Sequence, residues 1–331
     1  MTGAEAHSAQ GGITVVGEAL IDLVPAAPDG LFEAAPGGSP ANVAVGLARL
    51  EVPVRLAARI PDDLFGRRLR AHLAANDVDL SYAIHAREPT SLAVVSVGPE
   101  GGPEYDFRVS GTADWQWTAA ELAGIPDEHV LALHTGSLAA VLAPGAEAIT
   151  QLVARARATA TISYDPNCRP LLMGSPAAAW PRIERLVGLA DVVKASAEDL
   201  AWLLPGRAPA EVAAAWLGSG PAVVAVTLGA DGVVAAAAGT GPVWRPGCNV
   251  EVVDTVGAGD AFVSALLAAL YRRDLLGAGR RAALREIGRP LLAAVLDEAV
   301  CASALTCTRR GANPPTRGEL EAALARGTPA A

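Results

Sequence analysis

The chain has 331 residues, 51% hydrophobic and 18% charged, with a formal net charge of −9. That composition supplies a large apolar core and excludes global disorder. The acidic balance argues against a nucleic-acid partner and against an anionic membrane surface.

Residues 1–12 carry neither the basic start nor the apolar run of a signal peptide and are expected to be disordered. Ile13-Thr14-Val15-Val16-Gly17 predicts a buried first strand, with Glu18 and Asp22 after it. Ligands of an open parallel sheet gather beyond the carboxyl ends of its strands, so Asp22 is a candidate contact; a solvated loop carboxylate is the alternative. Residues 31–35 read as a short extended piece. Pro36-Gly37-Gly38-Ser39-Pro40-Ala41-Asn42 then reads as a helix start, with Ser39 just ahead of an early proline. The glycine pair would let a ligand meet bare backbone N–H groups, and Asn42 can donate to and accept from a hydroxyl. A strand over 54–60 and an amphipathic helix over 64–75 follow. Strands over 91–97 and 104–109, joined by the turn-rich residues 98–103, predict a hairpin outside the main sheet, either a lid or a plain surface hairpin.

From residue 130 onward, strands at 130–134, 159–164, 191–193 and 222–227 alternate with helical runs such as 145–158 and 177–189. This is the pattern of a doubly wound parallel sheet. Polar residues cluster just past the strand ends, in Asp165-Pro166-Asn167-Cys168-Arg169, Lys194-Ala195-Ser196-Ala197-Glu198-Asp199 and Thr227-Leu228-Gly229-Ala230-Asp231-Gly232. Lys194 is the only lysine and no glycine precedes it, which closes the P-loop route to phosphate binding. The four cysteines and five histidines show no metal-ligand spacing. No segment reads as a membrane span, and a cytoplasmic protein is expected. The Gly/Arg-rich stretch 277–290 is expected to be a loop or an irregular helix end.

A strand-like apolar run at 250–253 leads into Asp254-Thr255-Val256-Gly257-Ala258-Gly259-Asp260 and then into an apolar helix. A strand, a glycine turn and a helix leave free N–H groups at the positive end of the helix dipole, where phosphate binds well. A carboxylate at that place repels the anion, unless Asp260 faces an incoming hydroxyl and takes its proton. An ordinary N-capping aspartate is the alternative.

Taken together, Gly37-Gly38-Ser39-Pro40-Ala41-Asn42 and Asp254-Thr255-Val256-Gly257-Ala258-Gly259-Asp260 resemble the two signatures of the ribokinase-like (PfkB) sugar kinases, and the likeness runs over nearly the whole chain. Gly17-Glu18-Ala19-Leu20-Ile21-Asp22, Gly111-Thr112-Ala113-Asp114-Trp115 and Asp165-Pro166-Asn167-Cys168-Arg169-Pro170 are most similar to bacterial fructokinases. The resemblance implies an α/β fold: a doubly wound, mostly parallel central sheet flanked by helices, with a small β-sheet lid. One kinase domain would cover 13–325, its lid formed by segments around 31–36 and 91–110. The implied activity is transfer of the ATP γ-phosphate to a primary hydroxyl of a small sugar, D-fructose foremost. 2-Keto-3-deoxygluconate, ribose or a nucleoside are alternative acceptors, and a non-catalytic sugar- or nucleotide-binding homologue is the reading from a different class.

The same likeness implies roles. Asp260 would be the base, and Gly257, Ala258 and Gly259 the anion hole. Asp22, Gly37, Gly38 and Asn42 would hold the sugar, with Arg169 approaching substrate or phosphates. Asn167, Lys194, Ser196, Thr227, Gly229, Gly232 and Asn313 would lie along the nucleotide. The family's Asn-x-x-Glu appears as Ser196-Ala197-Glu198-Asp199, so Glu198 or Asp199 would organise Mg²⁺. Asp254 and Thr255 are the candidate ligands for K⁺. Arg108 stands where an aromatic is expected in the lid, and would shift specificity toward a charged or bulkier substrate. Glu51 and Pro61 stand where the family usually has glycine. The lid's strand edges could pair with a second copy as a homodimer. A dinucleotide oxidoreductase is set aside, because Gly17-Glu18-Ala19-Leu20 lacks the required glycine turn.

Overall fold

A computed structural model describes residues 11–26, 30–97, 103–126 and 129–327. The disorder expected for the N-terminus and most of the predicted hairpin turn fall on 1–10 and 98–102, outside the described residues.

Valine-rich runs with no polar alternation suit strands covered on both faces, and they form the centre of the molecule. β1 (Gly12–Val16), β4 (Val54–Ala57), β9 (Val130–Gly136), β10 (Thr161–Asp165), β11 (Val192–Ser196) and β12 (Val223–Thr227) pair in parallel. β13 (Val233–Ala237) and β14 (Gly241–Arg245) extend one edge in antiparallel fashion, giving the order β14-β13-β12-β11-β10-β9-β1-β4. Helices Ser39–Arg49, Ala258–Arg272 and Arg289–Cys307 supply one hydrophobic core. Helices Ala146–Ala156, Pro176–Leu189, Ala197–Leu203 and Pro209–Leu217 supply a second. With these two layers the sheet is doubly wound, as expected.

A second sheet holds β2 (Leu20–Ala26), β3 (Leu31–Gly37), β7 (Leu92–Val97) and β8 (Pro103–Arg108) in the order β3-β2-β7-β8. The separate hairpin is therefore present, joined by β3 near the predicted lid segment 31–36 and by β2, whose residues the sequence reading left beyond the end of the first strand. The single strand expected over 54–60 breaks at Ala58. Its second part, β5 (Arg59–Pro61), pairs with β6 (Ile84–Ala86) in a small sheet of its own.

Three further differences have local causes. The run 250–253 is not a strand: the N–H groups of Val253 and Asp254 donate to Cys307 O at 2.8 and 3.2 Å, and Val252 and Val253 are exposed. β13 and β14 escaped notice because alanine and glycine give weak strand signals. Helix Arg289–Cys307 is long and apolar enough to cross a membrane, contrary to the sequence reading. In this fold Leu292, Val295, Leu296, Ala299 and Ala302 are buried in the first core, so its apolar length serves packing.

Candidate active site

The carboxyl ends of β1, β10, β11 and β12 lie at the same end of the sheet, with β9 between β1 and β10, and each is followed by polar residues. Asp165 ends β10, Ser196 ends β11, and Thr227 ends β12 in register with Ser196. The helix Ala258–Arg272 starts at this same edge. Gly257 is its N-cap, in the left-handed region at φ 77°, where a side chain would also meet Ala312 Cβ at 2.7 Å. Glycine is required there on both counts.

Asp260 lies in the first turn of this helix and is buried. Its Oδ1 accepts Ser39 Oγ at 2.6 Å and its Oδ2 accepts Asn42 Nδ2 at 2.8 Å. Helix capping does not account for this carboxylate, since its partners lie more than 200 residues away on helix Ser39–Arg49. The two glycine-rich motifs thus meet at one carboxylate. Ser39 was missed as a site residue; its signal was its place inside the Gly37–Asn42 motif.

Asp22 projects from β2 against Gly37, where an added Cβ would lie 2.1 Å from Asp22 Oδ2. Burial pushes the Asp22 carboxyl up to about 6; Arg169 opposes the shift and the Asp260 charge adds to it. Asp22, Asp260 and Arg169 therefore share one electrostatic environment. Arg169 itself is anchored through Nη1 to Asn167 Oδ1 at 2.8 Å and Cys168 O at 3.0 Å. Gly38, at φ 98°, comes close to Glu18 O and Ala19.

Register in the second sheet decides which side chains face the site. Asp22 is paired with Ala35 and Ala93, and Ala93 with Phe107, so these four share one face. Arg108 belongs to the opposite face with Leu92, is exposed, and pairs with Asp106 at 2.6 Å. The lid side chain on the Asp22 face is the aromatic Phe107, one residue earlier. Only strand register could have revealed this.

Below the glycine turn, Lys194 Nζ donates to Asp165 Oδ2 at 2.9 Å, and both side chains are buried. A Cβ at Gly259 would lie 3.0 Å from Lys194 Nζ, so the ammonium sits directly behind the turn. Burial raises Asp165 to about 6 despite Lys194; burial lowers Lys194, but the Asp165, Asp199 and Asp260 carboxylates carry its net shift upward. Among the described residues the N–H groups of Gly257 and Gly259 have no internal acceptor, whereas Ala258 N donates to Thr255 O at 3.2 Å.

Asp199 is held by donors of the protein itself. Its Oδ1 accepts Cys168 N at 2.6 Å, and its Oδ2 accepts both Ser196 N and Ser196 Oγ at 2.8 Å, closing a capping box. Glu198, one position earlier, is exposed. Asp254 ties two segments together, accepting Val256 N at 3.0 Å and Gly311 N at 2.8 Å, and Thr255 beside it is exposed. Asn313 Oδ1 accepts Arg49 Nη1, which also donates to Pro314 O at 2.8 Å. Gly229 and Gly232 both take positive φ just after β12, and a Cβ at Gly232 would strike Arg245 O at 2.2 Å. The two unusual positions fit quietly. Glu51 keeps the left-handed conformation, φ 60°, that explains a usual glycine, and Pro61 ends β5.

Comparisons with known proteins agree with this geometry. The profile described as pfkB family carbohydrate kinase matches residues 11–317. A fructokinase from Rhizobium leguminosarum bv. trifolii is 36% identical over 278 residues, covering 83% of this chain and 84% of that protein. The crystal structure of a fructokinase from Xylella fastidiosa with bound ATP superposes with a TM-score of 0.84 at 29% identity, covering 95% of this chain and 98% of that one. A double mutant of the fructokinase from Vibrio cholerae O395, in a form with fructose, ADP and potassium ion bound, gives 0.80 at 29% identity, with 94% and 97% covered. The chain belongs to the pfkB family of carbohydrate kinases and is a sugar kinase.

Proposed function

We propose that this kinase uses ATP to phosphorylate D-fructose at a primary hydroxyl. The observation that carries the reading is the Asp260 carboxylate held by Ser39 and Asn42, beside the Gly257 turn. The acceptor hydroxyl gives its proton to Asp260 as its oxygen attacks the γ-phosphorus. Ser39 and Asn42 orient the two carboxylate oxygens, and Asn42 Oδ1 is left to accept from a second sugar hydroxyl. Asp22, with Gly37 and Gly38 giving room, accepts hydrogen bonds from other sugar hydroxyls. The Gly257 and Gly259 N–H groups, the helix dipole and the Lys194 ammonium neutralise the phosphoryl oxygens. The nucleotide lies along Ser196, Thr227, Gly229 and Gly232, toward Asn167 and Arg169.

Among the described residues no three His, Cys, Asp or Glu side chains form a metal-binding group. This suits Mg²⁺ carried in on the nucleotide phosphates and keeping several waters, with Glu198 the nearest uncommitted carboxylate of its helix turn. When bound, the ion supplies charge neutralisation on the phosphates. Asp254, with Thr255 beside it, would hold a monovalent ion such as K⁺. The keto-acid reading loses one of its two arginines, since Arg108 shares no face with Asp22. A cytoplasmic location and a homodimer through the β3 or β8 edge complete the proposal; Leu31 and Phe32 on β3 are exposed.

Coupled ADP release with Mg-ATP and a panel of fructose, ribose, 2-keto-3-deoxygluconate, adenosine and glucose, with and without potassium, tests the reading. Highest kcat/KM on fructose is expected. A preference for any other acceptor overturns the choice of sugar while leaving the kinase intact.

A further inference from the structure

The Gly111–Trp115 segment bears a residue with no part in the chemistry above. Asp114 is 1% exposed, and its carboxyl lies where the second sheet joins the first. Its Oδ1 accepts the Ala19 N–H at 2.9 Å, one residue before β2 begins. Its Oδ2 accepts the hydroxyl of Ser91, one residue before β7 begins. Asp114 itself follows β8 by six residues, through Thr112, whose hydroxyl meets Ser91 Oγ at 2.6 Å and Val109 O at 2.8 Å. Backbone bonds tighten the same junction, Ile21 N to Ser91 O and Ala113 N to Pro89 O, both at 3.1 Å. On the core side the neighbouring Glu18 carboxylate accepts Ala139 N at 3.2 Å, and Arg59 Nε donates to Ala113 O at 3.1 Å.

We propose that Asp114 is a positioning residue for the acceptor sugar: by fastening the starts of β2 and β7 to the exit of β8, it fixes where Asp22 stands over the site. Asp22 lies only three residues beyond the Ala19 bond, so a shift at this junction is carried directly into its position. A buried carboxyl replaced by a group that cannot accept leaves the Ala19 N–H and Ser91 hydroxyl unpaired, so the junction must shift or take in water. The consequence falls on sugar binding, because the nucleotide residues sit on β11 and β12, outside this junction. The inference rests on the reading that Asp22 holds the sugar.

A double-mutant cycle in steady-state kinetics tests it, with KM and kcat measured separately for fructose and ATP. Asp114→Ala is expected to raise the fructose KM roughly tenfold while the ATP KM stays within about twofold. Asp114→Asn, whose amide oxygen still accepts the Ala19 N–H, should stay within about threefold of wild type. In an Asp22→Ala background, Asp114→Ala should add less than about twofold further, since its effect runs through Asp22. Additive effects, an ATP KM rising in step, or an unchanged fructose KM would each overturn the proposal. If Asp114→Ala does not fold, Ser91→Ala enters the same cycle with the same criteria. A wild-type fructose KM in Asp22→Ala alone would instead contradict the placement of the sugar, and so separates the two failures.

Discussion

Asp260 is committed to two donors before any substrate arrives, and this separates it from a helix cap. A cap accepts from its own first turn, but Asp260 reaches Ser39 and Asn42 across the molecule. Its orientation is therefore fixed by a neighbouring helix, which is what a base needs in order to face an incoming hydroxyl. Asp22 adds a pH signature. Its carboxyl is raised to about 6, and the protonated form cannot accept from two hydroxyls. The fructose kcat/KM is predicted to fall as pH drops below about 6, because the competent carboxylate is lost through protonation. An acid limb that stays in place in Asp22→Asn would move the assignment to Asp165, which is raised to a similar value.

Asp114 gives a second, opposite signature in stability. Burial raises its carboxyl from the model-peptide value of 3.8 to about 7. The folded protein then holds a proton that the unfolded chain releases above about pH 4, so this residue costs stability increasingly as pH rises from about 4 to 7. Asp114→Asn carries no such cost. Its denaturant midpoint relative to wild type is predicted to improve between about pH 5 and pH 8, and a difference independent of pH would contradict the assignment.

Among the elements, the turn into helix Ala258–Arg272 bears the strictest demands. Gly257→Ala would place a Cβ 2.7 Å from Ala312 in a left-handed conformation, whereas Gly259→Ala would press only on the tip of Lys194 at 3.0 Å, with no positive φ to strain. The first substitution is predicted to lower kcat by about 100-fold or more and to cost about 1–2 kcal/mol or more in stability. The second should be milder in stability, because Gly259 lies in the helix and not in the left-handed region. Comparable stability losses in the two variants, read by denaturant unfolding, would contradict this account. This turn was legible in the sequence because glycine spacing, a following apolar helix and an acidic residue are all local signals. β2 and the Arg108–Phe107 order were not legible, because the face of a strand depends on its partners and one residue of register inverts it. The capping role of Asp199 was hidden similarly: its ligand-like position in Ser196-Ala197-Glu198-Asp199 is equally the position of a capping-box partner.

At the scale of the whole molecule, Asp22, Ser39, Asn42, Asp165, Lys194 and Asp260 come together near the carboxyl ends of the central strands; the strand–helix alternation pointed to that end of the sheet, but not to Ser39 or Asp165. The buried Lys194–Asp165 pair was not foretold as a pair, since its two members come from adjacent strand ends that only the sheet order brings together. Arg49 links the sugar-side helix to the chain's last crossing, donating to Asn76 Oδ1 at 2.8 Å, to Asn313 Oδ1 and to Pro314 O. Because a lysine cannot reproduce a planar fork serving three acceptors, Arg49→Lys is predicted to cost roughly 1–3 kcal/mol by denaturant unfolding. An unchanged midpoint would show that the link is dispensable.

The central claim is that Asp260 takes the proton of the sugar hydroxyl while the rest of the site binds and orients. Wild type and Asp260→Asn compared for ADP release with fructose and Mg-ATP, alongside ATP binding by calorimetry, tests it most directly. The account predicts that kcat falls by roughly 10²–10⁴-fold while ATP affinity is retained. An Asp260→Asn enzyme turning over fructose at the wild-type rate would contradict it.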